Sequence, residues 1–204
     1  MNTPQPAPPS RWARLLSRLF APPRSKWLIG IPVGALLCFV LGIAVYGGAG
    51  AFMHATSSTK FCAYACHEMA AFTTPSWMAS AHYKSAKGVQ AGCPDCHVPR
   101  PEIPKLIRKF QALKEGWGHL TGIISTQEKF DAEKVRMARH TWAYMKANDS
   151  RECRYCHNAA AWDLSAQSNP AQRRHEQMAA KGETCIDCHQ GVAHEVPPGA
   201  EPGS

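Results

Sequence analysis

The sequence predicts a mainly α-helical chain, with a single N-terminal transmembrane helix followed by a small domain of short helices and loops and almost no sheet. Three observations predict this. From Trp27 to Tyr46 the chain reads WLIGIPVGALLCFVLGIAVY, and no Asp, Glu, Lys or Arg stands between Lys26 and Lys60. The remainder is rich in Cys, His, Pro, Lys and Arg and has no comparable aliphatic run. Eight of the nine cysteines fall into four close pairs, each followed at once by a histidine. The apolar residues, 45% of the chain, are therefore concentrated near the N-terminus. The C-terminal three quarters cannot build a large aliphatic core from their own side chains.

Residues 1–26 read as a basic cytoplasmic segment. It opens MNTPQPAPP and carries Arg11, Arg14, Arg18, Arg24 and Lys26 with no acidic residue. Trp12, Leu15, Leu16 and Leu19 share one helical face flanked by Arg11, Arg14 and Arg18, the pattern of a short interfacial helix on anionic lipid. The Pro-rich start equally allows a tail without structure. Residues 27–48 read as the anchor, since a bilayer core needs about 20 apolar residues as a helix. The apolar region of a cleaved signal peptide is shorter, roughly 7 to 15 residues. By the positive-inside rule the preceding cations keep the N-terminus in the cytoplasm and export the C-terminal domain. Cys38, alone in the apolar run, reads as an inert small hydrophobe.

Residues 49–198 hold the chemistry. Three sites have the spacing Cys-x-x-Cys-His: Cys93, Cys96 and His97; Cys153, Cys156 and His157; Cys185, Cys188 and His189. This is the pattern of c-type haem attachment. Two thiols bond to the haem vinyl groups and the adjacent histidine stands under the iron as its proximal ligand. Zinc also takes paired cysteines, but a zinc ribbon requires no histidine after every pair. The first site, Cys62-Ala63-Tyr64-Ala65-Cys66-His67, has three residues between its cysteines. It is counted as a fourth haem site, with the extra residue looped out, because His67 follows Cys66 as in the others. Met69, two residues on, is an additional candidate axial ligand.

The domain also reads as a duplication, with halves at about 60–125 and 126–198 and a short tail at 199–204. AKGVQAGCPDCH at Ala86 to His97 echoes AAKGETCIDCH at Ala179 to His189. Each half holds two motifs, their histidines 30 and 32 positions apart, and one further histidine before its second motif, His82 or His175. Six histidines remain outside the motifs. His82, His175 and His194 stand out by the repeat and by closeness to motifs, whereas His119 and His140 read as surface residues. The formal charge of +8 is a possible footprint of phosphate binding, but haem propionates would balance much of it and no nucleic-acid partner is expected. With four porphyrins in so small a domain, haem faces must replace much of the aliphatic core, and the apo domain should be unfolded.

The anchor, the sequence CHEM at Cys66 to Met69, CPDCHVP, KANDSRECRYCHN and CIDCHQGVAH resemble the NapC/NirT family of tetrahaem quinol dehydrogenases, over about Trp27 to Pro198. The three-residue spacer departs from the family pattern. The resemblance implies a multihaem cytochrome c domain with four covalently bound haem c groups. It assigns Met69 to the first iron, with the opposite face open or shielded by a carboxylate. It pairs His97 with His194 at the second iron, His157 with His82 at the third and His189 with His175 at the fourth. It also implies a bacterial inner-membrane protein with a periplasmic haem domain. Its substrate would be menaquinol or ubiquinol from the membrane quinol pool.

His175, ten residues before Cys185, resembles a self-supplied ligand and favours a periplasmic nitrate reductase as the electron acceptor. The chain ends soon after His194, so an extra haem domain of the longer relatives is not expected. A nitrite or N-/S-oxide reductase is the alternative acceptor. A non-catalytic haem wire is the competing class, distinguished by a first haem that no quinone analogue perturbs. A haem-based sensor would need a signalling domain, and none is read beyond Pro198.

Between the halves, Leu106, Ile107, Phe110, Leu113 and Trp117 recur at helical spacing among Lys105, Arg108, Lys109, Lys114 and Glu115, a basic amphipathic helix suited to a membrane surface. Lys109 and Glu115 match the family's quinol-pocket positions and are the candidate catalytic residues. They would hydrogen-bond the quinol hydroxyls and carry protons away. Ser125-Thr126-Gln127-Glu128 reads as a capping box opening a second helix that runs to about Asn148.

Overall fold

The computed structural model describes residues 11–20, 27–28 and 31–200. The chain divides into two units, Met1–His54 and Ala55–Ser204. In the first, α1 (Arg11–Phe20) realises the predicted helix of the basic leader. Trp27–Leu28 and Ile31–Pro32 then form an antiparallel pair, β1 and β2, with Trp27 opposite Pro32. The long apolar helix α2 spans Val33–Ala55.

The stretch expected to span at 27–48 is thus helical later than predicted, and the reason is Pro32. Its missing N–H and fixed φ suit the entry of a helix and not its interior. At the other end the helix runs through Gly47, Gly48 and Gly50, which would weaken it in water. Backbone groups without water have no partners but one another. Its 23 residues reach about 34 Å at 1.5 Å per residue, enough for a hydrocarbon core of about 30 Å. It is the one described helix long and apolar enough to cross a membrane. No residue of it is buried, as expected of a helix apolar on every side.

The second unit is built of short helices: α3 (Thr59–Tyr64), a π-helical turn (Met69–Thr73), α4 (Thr74–Ala79), α5 (Cys93–His97), α6 (Glu102–Leu120), α7 (Gln127–Ala147), α8 (Arg151–Arg154), α9 (Asn169–Met178) and α10 (Cys185–Cys188). Among the described residues its buried apolar core is small: Ala63, Trp77, Phe130, Met145, Ile186 and Ala200, with Pro99 and Pro197. The two-residue pair β1–β2 is the only sheet described, so the mainly α class with almost no sheet holds.

Local chemistry sets the helix ends. The carboxylate of Asp95 accepts from Gly92 N–H at 2.8 Å at the start of α5. That of Asp187 accepts from Thr184 N–H at 2.7 Å at the start of α10. Gly88 and Gly182 precede them with φ of 73° and 63°, a region that glycine enters without strain. The sequence echo is therefore a structural repeat of turn, cap and motif. Helix α7 begins one residue later than the expected capping box. Extended Thr126 is its N-cap and accepts from Lys129 N–H, whereas Ser125 Oγ donates to Gly122 O.

Candidate haem-binding site

Each motif places its thiols on one short helical segment. α5 and α10 carry Cys93, Cys96, Cys185 and Cys188, and α8 carries Cys153 just before Cys156 and His157. A three-residue step on a helix keeps two side chains on one face. In the first motif the extra residue is not looped out. Ala65 stays in the αR region and its N–H reaches Phe61 O at 2.9 Å, so Cys62 and Cys66 are one helical turn apart. The π-helical turn at Met69–Thr73 follows directly, and such turns take up a surplus residue.

The motifs are strung side by side. Helix α3 packs on α5, and α5 on α8. Helix α8 in turn is tied to α10, because the buried Ser150 hydroxyl accepts from Ile186 N–H at 3.1 Å. Asp149 and Ser150, at φ 57° and 48°, turn the chain from α7 into α8, and Arg154 donates to Asp149 twice at 2.8 Å. Burial raises the thiols of Cys62, Cys66, Cys93 and Cys153, and pushes Cys96 up to about 11. Beyond burial, Cys93 feels Cys62, Cys96 feels Cys153, and Cys153 feels Cys185. The four attachment points therefore run in chain order, each beside the next. No disulfide joins any of the nine cysteines.

The expected axial pairs meet. The ring centres of His97 and His194 lie 6.3 Å apart, those of His82 and His157 6.2 Å, and those of His175 and His189 6.0 Å. An imidazole whose nitrogen binds a metal at about 2 Å has its centre about 3 Å from that metal, so two opposite rings sharing one iron stand about 6 Å apart. In each pair the histidine outside the motif has its Nδ1 engaged. His194 donates to Ser76 Oγ at 2.9 Å, His82 to Val192 O at 3.0 Å and His175 to Gln167 Oε1 at 2.7 Å. That fixes the proton on Nδ1 and leaves the Nε2 lone pair for a metal. Burial holds His97 down at about 4 and also lowers His194, keeping both rings in the neutral, ligating form. The residues fit haem c at these three motifs. The first two bonds, from His194 and His82, also knit the halves across more than 100 residues.

A cavity of about 420 Å³ opens beside His175, walled by Trp162, Arg154, Met178 and Thr184. A second is lined by Trp77, Cys93, Cys96, His97 and His194 and includes Met69. Met69 thus faces the second motif's cavity. Among the described residues, the single set of Cys, His and carboxylate atoms close enough to share an ion is Cys66, Glu68 and His119.

The candidate catalytic residues gather at Cys62, whose thiol feels Lys109, Glu115 and Arg108. The Lys109 ammonium donates to Thr56 O at 2.6 Å and Thr56 Oγ1 at 3.0 Å. Burial, then Arg108 and Lys105, hold it below the usual lysine range, with Cys62 opposing. Glu115 accepts from Arg108 at 2.6 Å, one residue seven along the helix from the other. Lys109 and Glu115 are therefore near the same cysteine but not bonded to each other. Along α6, Ile103, Leu106, Phe110, Leu113, Trp117 and Leu120 are all at least half exposed, an uncovered apolar stripe.

His119, expected at the surface, keeps 38% of its side chain exposed but has a buried partner. It donates from Nδ1 to both oxygens of Glu68 at 2.9 Å. Glu68 is 2% exposed. Burial pushes its carboxyl up, but its own backbone N–H, His119 and His67 together outweigh this and hold it below the usual range.

A profile of the NapC/NirT cytochrome c family, N-terminal region, matches residues 24–199. The chain belongs to this family. It is 42% identical to the cytochrome c-type protein NapC of Escherichia coli K12 over 183 residues, covering 90% of this chain and 91% of that one. It is 43% identical to NapC of Paracoccus pantotrophus over 198 residues, 94% of this chain and 82% of the relative. The denitrification system component NirT of Stutzerimonas stutzeri is 42% identical over 178 residues, 87% of each. No solved structure matches. As a NapC/NirT family cytochrome the chain carries covalently bound haem c.

Proposed function

We propose that this NapC/NirT family member is a tetrahaem quinol dehydrogenase of the inner membrane. Its N-terminus stays in the cytoplasm, and its haem domain delivers electrons to a periplasmic terminal reductase of the nitrate reductase type. The observation that carries the reading is Lys109 bonded to Thr56, one residue past the apolar helix, from the same helix that holds the Arg108–Glu115 pair, with the attachment residue Cys62 only seven residues past the apolar helix. Quinol stays in lipid, so the residues that handle it must stand where the chain leaves the span.

Haem c, bound through Cys62/Cys66, Cys93/Cys96, Cys153/Cys156 and Cys185/Cys188, supplies one-electron transfer and takes no proton. The protein must therefore remove the two protons of quinol itself. Lys109 holds two hydrogen bonds to Thr56, and a quinol hydroxyl takes the place of one of these partners. An amine whose proton is already loosened by burial accepts the hydroxyl proton more readily than an ordinary lysine. Lys109 in its neutral form takes one hydroxyl proton, and Glu115, its charge balanced by Arg108, takes the other, while the two electrons leave one at a time through haem c. The apolar stripe of α6 lies against the membrane surface, and its lysines and arginines meet anionic headgroups. Docking to the reductase is small in area and short-lived, as suits electron-transfer encounters.

The test is turnover in proteoliposomes. Menaquinol and ubiquinol are supplied separately, with nitrate, nitrite and N-oxide reductases as acceptors. The proposal requires quinol-dependent reduction of the haems and onward reduction by a nitrate reductase, with a quinone analogue perturbing the spectrum. Haems that reduce with dithionite but with neither quinol would leave a wire and not an enzyme.

A further inference from the structure

Three non-motif histidines pair with three motif histidines; the first motif has a partner of the same kind. The rings of His67 and His119 lie 5.6 Å apart at 60°, slightly closer than the other three pairs and within their range of tilt, 31° to 73°. As in those pairs, the histidine outside the motif has its Nδ1 proton committed, here to both oxygens of buried Glu68. Its Nε2 is left as a lone-pair donor. Glu68 Oε1 also stands 3.3 Å from His67 Nε2, so the one carboxylate neighbours both rings. We propose that His119 is the second axial ligand of the haem attached at Cys62 and Cys66, opposite His67, with Glu68 as the carboxylate that orients it.

Carboxylate–histidine–metal triads are a recurrent device. The carboxylate fixes the tautomer and makes the imidazole a stronger donor. The geometry also explains why an acidic side chain tolerates almost complete burial. A buried carboxylate needs a partner, and Glu68 has one in His119. Met69, in contrast, lines the cavity of Cys93, His97 and His194. The assignment rests on haem attachment at the first motif. It leaves the proposed quinol oxidation intact, because electron transfer needs approach to the haem edge, where Lys109 stands beside Cys62, and not a vacant position on iron.

The test uses the purified full-length holoprotein. Intact mass first counts covalent haems; a chain with three removes the premise itself. With four present, near-infrared magnetic circular dichroism and electron paramagnetic resonance should report four low-spin, bis-histidine haems. His119→Ala should turn one quarter of the iron high-spin with the mass unchanged for haem, and added imidazole should reverse this. Met69→Leu should leave the spectrum as in the wild type. Should His119→Ala fail to accumulate, Glu68→Gln gives an independent reading. Its haems stay low-spin while one potential rises, because a neutral amide enriches the ligand less than a carboxylate. A high-spin or methionine-ligated haem in the wild type, a Met69→Leu change in place of a His119→Ala change, or unaltered potentials in Glu68→Gln would overturn the assignment.

Discussion

Helix α2 and the domain from Ala55 onward both bury very little, for opposite reasons. Not one residue of α2 is buried although nearly all are apolar, so its missing partner is lipid. The domain has few buried apolar residues among those described and few aliphatic side chains to add, so its missing partners are the groups its cysteines and histidines bind. The difference teaches that low burial is not one condition. A uniform apolar surface asks for a solvent, whereas motif helices set side by side, with histidine rings about 6 Å apart, ask for cofactors of fixed shape.

The sharpest way to break this comparison is to withhold haem. In cells that cannot attach haem c, the domain should lose its fold altogether, shown by loss of helical circular dichroism and by digestion under mild proteolysis, while the span still fractionates with membranes. A protease-resistant apo domain would mean that the polypeptide packs without its cofactors.

The next effect is confined to one pair. His82→Ala should convert one haem in four to a high-spin state and leave the other pairs unchanged. Electron paramagnetic resonance of the oxidised protein would show it.

A smaller change is expected at the entry site. Lys109→Met should lower kcat/KM for quinol about tenfold, the order of one lost hydrogen bond to a reacting group, with haem content normal. The pH profile supplies the sign. Burial holds Lys109 below its ordinary value of about 10.4, so its neutral, proton-accepting form grows as pH rises through that lowered value. Wild-type turnover should climb over that range, and Lys109→Met should flatten the climb. An identical profile in both would remove Lys109 from proton transfer.

The smallest effect is local. Asp187→Ala removes the cap of α10 and the 2.6 Å bond from Lys146, and should cost about 1 kcal/mol, read as a lowered unfolding midpoint of the holoprotein. Its counterpart Asp95→Ala should cost a similar amount if the two motifs are true repeats.

The parts legible in sequence were those written in short range. The apolar run, the Cys-x-x-Cys-His spacings and the echo of the segments around Gly88 and Gly182 each sit within a few residues. The three long-range histidine pairs came from family resemblance, and the rings meet as that resemblance implied. The start of α2 was misplaced because composition does not register that Pro32 ends one conformation and opens another. His119 was set aside because nothing near it signals a ligand. Its partner Glu68 is 51 residues away, and only folding α6 across the first motif brings them together. The spacer of that motif was also opaque, since whether Ala65 loops out or stays helical depends on the π-helical turn beyond it.

The most direct measurement of the central claim is the intact mass of the protein purified from membranes, set beside its iron content. Four thioether-linked haems on one chain are predicted, the first held at Cys62 and Cys66 despite the longer spacer. A colourless protein, or a mass lacking those four additions, would contradict the account.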